Sequence, residues 1–155
     1  FDMPVIYYNR SETEADVPAR QVESLSALMC QADIIVVTVP GGGSNTNMID
    51  AAMLAEMQET AVFINVARGD VVDEAALITV LQEGRIAGAG LDVYAREPLV
   101  PQALRDLENV VLLTVPRACT VLTIAIPPTA SIACLALVLA RLPASTRRQR
   151  ARHAA

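Results

Sequence analysis

Ala61-Val62-Phe63-Ile64-Asn65-Val66, followed by Ala67-Arg68-Gly69 and then by Asp73-Glu74-Ala75-Ala76-Leu77, is the stretch that decides the fold. A continuous, largely apolar run without alternation reads as a strand buried on both faces. Arg68-Gly69 closes it. Asp73 is placed to cap a helix running through Leu81 and ended near Gly84. Working outward, Ile34-Ile35-Val36-Val37-Thr38-Val39 is a second buried strand, stopped by Pro40 and three glycines. Ser24 caps a helix over Leu25 to Gln31, and Ala51, Met53, Leu54 and Met57 give residues 50–57 helical spacing. Ile86 to Val93 is a small-residue strand and Val110 to Leu113 the last. Val5 to Tyr8 is a short β-prone run ended by Asn9-Arg10-Ser11, and Gln21-Val22 a short edge strand. Strand and helix alternate without internal repeat, so the fold class is α/β with a parallel sheet.

The chain of 155 residues is 53% apolar but only 3% aromatic, so its core is built from Ala, Val, Leu and Ile. Cys30, Cys119 and Cys134 are widely spaced and form no CxxC pair, which argues against a disulfide framework and fits a reducing, cytoplasmic setting. The first ten residues lack a charged segment leading into an apolar run, so no signal peptide is read there. The chain reads as starting within a domain.

Charge divides the chain. Residues 1–108 hold all seventeen acids and six arginines, whereas residues 109–155 hold six arginines and no acid. There is no lysine. This places a boundary near Thr114: residues 1–114 form the α/β domain, and 115–155 form an apolar, then Arg-rich segment expected to be helical or disordered. Residues 118–140 carry no charge, a length that fits a membrane span. Pro127-Pro128 would break such a helix near its middle, so a membrane partner is not expected. Neither is a nucleic-acid partner or a metal.

The segment from Val62 to Leu77, read as strand, then Ala67-Arg68-Gly69, then Val71-Val72-Asp73-Glu74, resembles the D-2-hydroxyacid dehydrogenases. The likeness continues in order through Gly84 to Tyr94, then Glu97-Pro98, then Asn109 to Thr114, covering roughly residues 1–114. Pro40-Gly41-Gly42-Gly43 and Asn9-Arg10-Ser11 are similar to the glyoxylate and hydroxypyruvate reductase branch. The resemblance implies an incomplete Rossmann-type, doubly wound parallel sheet. It implies hydride transfer between NADP or NAD and a small 2-keto or 2-hydroxy acid, and it allows a homodimer of the family type.

On that resemblance Arg68 is the cation that grips the substrate carboxylate, with two parallel bonds available from its guanidinium. Glu97 is the carboxylate that orients a histidine. Asp92 lies near the nicotinamide carboxamide, and Val39, Pro40, Val66 and Ala67 line the cofactor. Asn9, Arg10 and Ser11 stand where NAD-selective enzymes place an acid for the ribose 2′-hydroxyl, so they lean toward the 2′-phosphate of NADP. Each has a plainer alternative: an ion-paired strand-end arginine, a surface acid in a turn before Pro98, a capping aspartate, a polar turn. Gly41-Gly42-Gly43 is not a phosphate loop, because it lacks the GxxxxGK[ST] pattern.

Two departures stand out. The family's histidine lies in a PHxG-type motif about twenty residues after the glutamate, and here Val115-Pro116-Arg117-Ala118 puts Arg117 at that position. An arginine stays protonated and cannot shuttle a proton at neutral pH. His153 lies in the basic tail. Two readings account for the loss of acids and glycines toward this end: a frame disruption after Thr114, which the composition favours, or a genuine divergent extension. The glycine turn and its strand are expected just before Phe1. Their absence would leave the strands at Val5 and Ile34 without a central neighbour and this chain inactive alone, with a nucleotide-binding or dimerisation module as the alternative role.

Overall fold

The computed structural model describes residues 3–11 and 18–113, together with the backbone of 138–140. Parallel strands with intervening helices follow the expected order: β1 (Val5–Tyr7), β2 (Ala19–Gln21), α1 (Leu25–Gln31), β3 (Ile34–Val37), α2 (Ala51–Ala55), β4 (Val62–Asn65), α3 (Glu74–Gln82), β5 (Gly88–Leu91), α4 (Gln102–Arg105) and β6 (Val110–Leu112). A last strand, β7 (Val138–Ala140), completes the sheet. Short 3-10 turns at Gly43–Asn45 and Gly69–Val71 follow β3 and β4.

The helices begin where side chains can take up their free amides. Ser24 Oγ accepts from Ala27 N at 3.0 Å, Asp50 Oδ1 from Met53 N at 2.9 Å and Asp73 Oδ1 from Ala76 N at 3.0 Å. These are side-chain caps of the usual kind, each contributing roughly 1 kcal/mol. Gly84, with φ of 65°, takes the left-handed position just past α3. The helix α4, opened by Pro101, was not anticipated: four residues are too few to show a period.

The sheet order is β2-β1-β7-β3-β4-β5-β6. The pairs β1–β2, β3–β4, β4–β5 and β5–β6 are parallel, with Ile35 opposite Phe63 and Phe63 opposite Ala89. Every crossover from β2 onward moves the same way along the sheet, so right-handed connections put α1, α2 and α3 on one face. Their mutual contacts agree. That face is the core: Leu28, Met29, Ile35, Ile49, Leu54 and Phe63 are all within 1% of full burial. The runs expected to be buried on both faces instead alternate, with Ile35 and Val37 buried and Ile34 and Val36 half-buried. β4 alternates in the same way.

One expectation is revised. The slot between β1 and β3, read from the sequence as lacking a strand, holds β7. It runs antiparallel to both neighbours, with Leu139 opposite Ile6 and Ile35. Residues 138–140, expected to be helical or disordered, are therefore extended. The remainder of 115–155, including Arg117, His153 and most of the uncharged run 118–140, lies outside the described residues. Among the described residues no helix is long and apolar enough to cross a membrane.

Phe63, on β4, belongs to the core cluster with no exposure at all. Phe63→Ala is expected to lower stability by roughly 3–5 kcal/mol, through lost burial and the cavity left behind. Urea denaturation followed by circular dichroism checks this as a drop in midpoint with the slope retained.

Candidate functional site

Parallel strands deliver their C-terminal ends to one rim, where ligands bind in sheets of this kind. The backbone continues each strand into that rim: Val66 N donates to Val37 O, and Asp92 N donates to Asn65 O at 3.0 Å. The segments Thr38–Pro40, Val66–Arg68 and Asp92–Tyr94 therefore emerge side by side, and they carry Val39, Pro40, Val66, Ala67, Arg68 and Asp92.

Asn65 fixes the shape of this rim and was overlooked in the sequence, hidden within an apolar run. It is 2% exposed. Its Oδ1 accepts from Ala67 N at 3.0 Å, and its Nδ2 donates to Arg68 O at 3.1 Å. This local side-chain turn ends the strand abruptly and holds Arg68 in extended geometry at the start of the next 3-10 turn. Arg68 is exposed, and its guanidinium donates to Ala67 O at 2.8 Å. Among the described residues no carboxylate lies within ion-pairing distance of it; the ion pair found is Arg85 with Glu83. The strand-end ion pair that would make Arg68 merely structural is thus not formed within this region.

Glycines let neighbouring loops close on Arg68. A methyl group at Gly41 would stand 2.5 Å from Asp70 Oδ1 and 2.8 Å from the Arg68 stem, and one at Gly69 would collide with the Tyr94 carbonyl. Asp70, also missed in the sequence, links the loops: its Oδ2 accepts from Gly42 N at 2.7 Å and its backbone carbonyl from Asn47 N at 2.8 Å. Gly42, at φ 77°, adopts a backbone that other residues rarely reach.

Asn9, Arg10 and Ser11 lie beyond β1. Asn9 is buried, whereas Arg10 and Ser11 are exposed. Gln21 Nε2 donates to Asn9 O and Ser11 O at 3.1 and 3.3 Å. Arg10 spans the rim to the loop after β3. It donates to Ser44 Oγ at 2.7 Å, Ser44 O at 3.1 Å and Asn45 Oδ1 at 2.8 Å. Three of the five guanidinium N–H groups are engaged this way, so the segment is more than a loose polar turn.

Glu97 sits in the turn before a cis Pro98, and its Oε1 accepts from Tyr94 N at 3.3 Å. It is exposed, and in the fold it acts as a loop acid that receives a backbone amide. The Arg117 that the resemblance would set opposite it lies outside the described residues. Tyr94 is the more deeply built group. It is 6% exposed, with its hydroxyl donating to Leu113 O at 2.8 Å and 3.2 Å from Leu91 O. Burial, reinforced by the negative charges of Asp92, Glu97 and Glu74, raises its phenol above the ordinary tyrosine value. Among the described residues no group of acids, cysteines or histidines could hold a metal ion.

Residues 1–114 match the NAD binding domain of the D-isomer specific 2-hydroxyacid dehydrogenases. The chain is 44% identical over 115 residues to a glyoxylate reductase of Thermococcus kodakarensis, covering 72% of this chain and 34% of that protein. It is 45% identical over 115 residues to a glyoxylate/hydroxypyruvate reductase B of Yersinia enterocolitica, covering 72% and 35%. Among solved structures, the NADPH-dependent glyoxylate/hydroxypyruvate reductase of Sinorhizobium meliloti, in complex with NADP and malonate, superposes with a TM-score of 0.65 at 42% identity. That match covers 68% of this chain and 33% of the other. The chain thus spans about a third of the length of the curated relatives it matches.

Asn65→Ala should strand the buried Ala67 amide and release Arg68 O, costing about 1–3 kcal/mol. Hydrogen exchange of residues 66–70 should rise more than that of α3. For Tyr94, a folded value above the unfolded one means that its contribution is complete below about pH 10 and fades as pH climbs through the folded value. Stability measured by urea titration should therefore fall on the alkaline side, and Tyr94→Phe should flatten that fall.

Proposed function

The chain belongs to the D-isomer specific 2-hydroxyacid dehydrogenase family, residues 1–114 matching its NAD-binding domain, and from this we propose that the rim serves hydride transfer between NADP(H) and a small 2-keto acid of the glyoxylate or hydroxypyruvate type. The observation that carries the reading is Arg68, held by a buried amide at the C-terminal rim of a parallel sheet with no acid of the described region neutralising it. A guanidinium so placed can take a substrate carboxylate in two parallel bonds and draw electron density from the adjacent carbonyl. When bound, the cofactor supplies the hydride.

Asp92, at the end of β5, is assigned to the carboxamide side of the cofactor. Val39, Pro40, Val66 and Ala67 form the wall against it, with Val66 48% exposed and so available for contact. Asn9, Arg10 and Ser11 are assigned to the ribose 2′-phosphate. The preference for NADP over NAD rests on the absence of an acid there and on the NADPH dependence of the Sinorhizobium relative. The stretch 41–43 contributes a loop wall, its glycines allowing approach to Arg68.

The reaction also needs a proton at the carbonyl oxygen. On our reading Arg117 takes the position that the family pattern gives to histidine, and a guanidinium does not exchange a proton at neutral pH. On that reading Glu97 meets a guanidinium in place of an imidazole. We assign this chain the binding half of the chemistry without its acid–base step, and a homodimer of the family type is compatible with that role. Mixed with NADPH and glyoxylate, the purified chain should give no loss of absorbance at 340 nm above a protein-free blank. Adenosine 2′,5′-bisphosphate, which differs from adenosine 5′-monophosphate by the 2′-phosphate alone, should bind saturably in an NMR titration. Arg10→Ala should weaken that binding by roughly tenfold, the scale of one charge-assisted bond pair. Equal binding of adenosine 5′-monophosphate, or no effect of Arg10→Ala, would remove the NADP assignment.

A further inference from the structure

We infer that the slot between β1 and β3 is a strand-acceptor site, filled here by the chain's own residues 138–140 in a direction that leaves no seat for a dinucleotide's pyrophosphate. Each neighbour of the slot is already paired on its outer side, β1 with β2 and β3 with β4. Their inner edges face each other and present backbone donors and acceptors to whatever lies between. Unpaired, each of those groups would cost about 1–3 kcal/mol where water is excluded. β7 meets both edges at once, with Val5 opposite Ala140, Ile6 opposite Leu139 and Val36 opposite Val138.

The sequence suits the position. Ile132 to Ala140 is an unbroken run of apolar residues without glycine or proline, the composition of a strand enclosed by a sheet. Reach is no obstacle. β6 ends at the rim, and the 24 residues 114–137 can extend about 3.3 Å each, far more than the few strand spacings of roughly 4.8 Å back to the slot. β7 runs antiparallel to both neighbours.

Direction decides the consequence. A parallel strand in this slot brings its C-terminal end to the rim, where a glycine turn and a helix N-terminus can take the pyrophosphate beside Pro40 and Asn9. An antiparallel strand brings its N-terminal end there. It supplies the ladder of backbone bonds but not the turn that opens a helix toward the phosphates. The two kinds of strand compete for one slot. Arg10, bonded across the rim to Ser44 and Asn45, joins the two sides of the slot. The strand assignment is independent of the proposed reaction, while the consequence for the pyrophosphate rests on the dinucleotide reading above.

Two measurements on the full chain test this. First, with Cys30, Cys119 and Cys134 replaced by serine, the pairs Ile34→Cys/Ala140→Cys and Ile35→Cys/Leu139→Cys are oxidised and mapped by mass spectrometry. Consecutive antiparallel pairs alternate between wide and narrow spacing, so at least one should form an intramolecular disulfide readily. The mismatched pair Ile34→Cys/Val138→Cys should not. No crosslink in either matched pair, or crosslinks found only between two copies, would overturn the assignment. Second, NADPH should bind within about threefold of adenosine 2′,5′-bisphosphate, because its second phosphate and nicotinamide meet no seat. NADPH binding tenfold or more tightly would overturn the blocked-seat claim even if the crosslink forms. If neither ligand binds, the 2′-phosphate reading fails, and the crosslink alone judges the strand.

Discussion

The two hydrogen bonds of the buried Asn65 amide govern the rest of the site. One side-chain oxygen holds the Ala67 amide and one side-chain nitrogen holds the Arg68 carbonyl, while the Asn65 backbone carbonyl receives Asp92 N. A single residue thus stops β4, sets the exit angle of Arg68 and registers β5 beside it. A buried side-chain amide is costly unless its polar atoms are matched, and here both ends are. That cost makes the turn well determined, because the alternatives leave polar groups unpaired in the core.

Around that anchor the loops are joined by contacts that tolerate little added bulk. Gly41 lies against the stem of Arg68, Gly69 against the backbone of Tyr94, and Asp70 draws the loop after β3 onto the loop after β4. Tyr94 then ties its own loop to the end of β6 through Leu113. Two ionisable groups of this region differ in kind. Tyr94 is pushed toward its neutral form by burial and nearby acids, whereas the exposed Arg68 guanidinium, among the described residues, donates to a backbone carbonyl and meets no carboxylate. The first is a structural pin and the second a group available to an anion.

Much of this was legible in the residues. Ser24, Asp73 and Gly84 state the ends of their helices in local chemistry, and the apolar runs at Ile34 and Ala61 mark the strands that carry the rim. Burial on both faces was overestimated, since the run of apolar residues does not reveal that α1, α2 and α3 all lie on one side. Asp70 escaped notice because its partner Gly42, twenty-eight positions away, meets it only once the strands are in register, whereas the partners of Asn65 are two and three residues on and were masked by the apolar run around it. Asn65 did leave a trace, as a lone polar residue in a strand otherwise apolar. The seating of residues 138–140 was illegible for a similar reason: backbone pairing carries no side-chain signature of direction or neighbour.

The account stands on Arg68 being a carboxylate receptor at this rim. Oxalate, a dicarboxylate that cannot be reduced by hydride in this way, can be titrated into the ¹⁵N-labelled chain by NMR with the Arg68 Nε and backbone amides assigned. Saturable shifts concentrated at Gly41–Gly42, Ala67–Gly69 and Asp92, and lost in Arg68→Ala, are the predicted result. Shifts scattered over other arginines, or unchanged by Arg68→Ala, would contradict it.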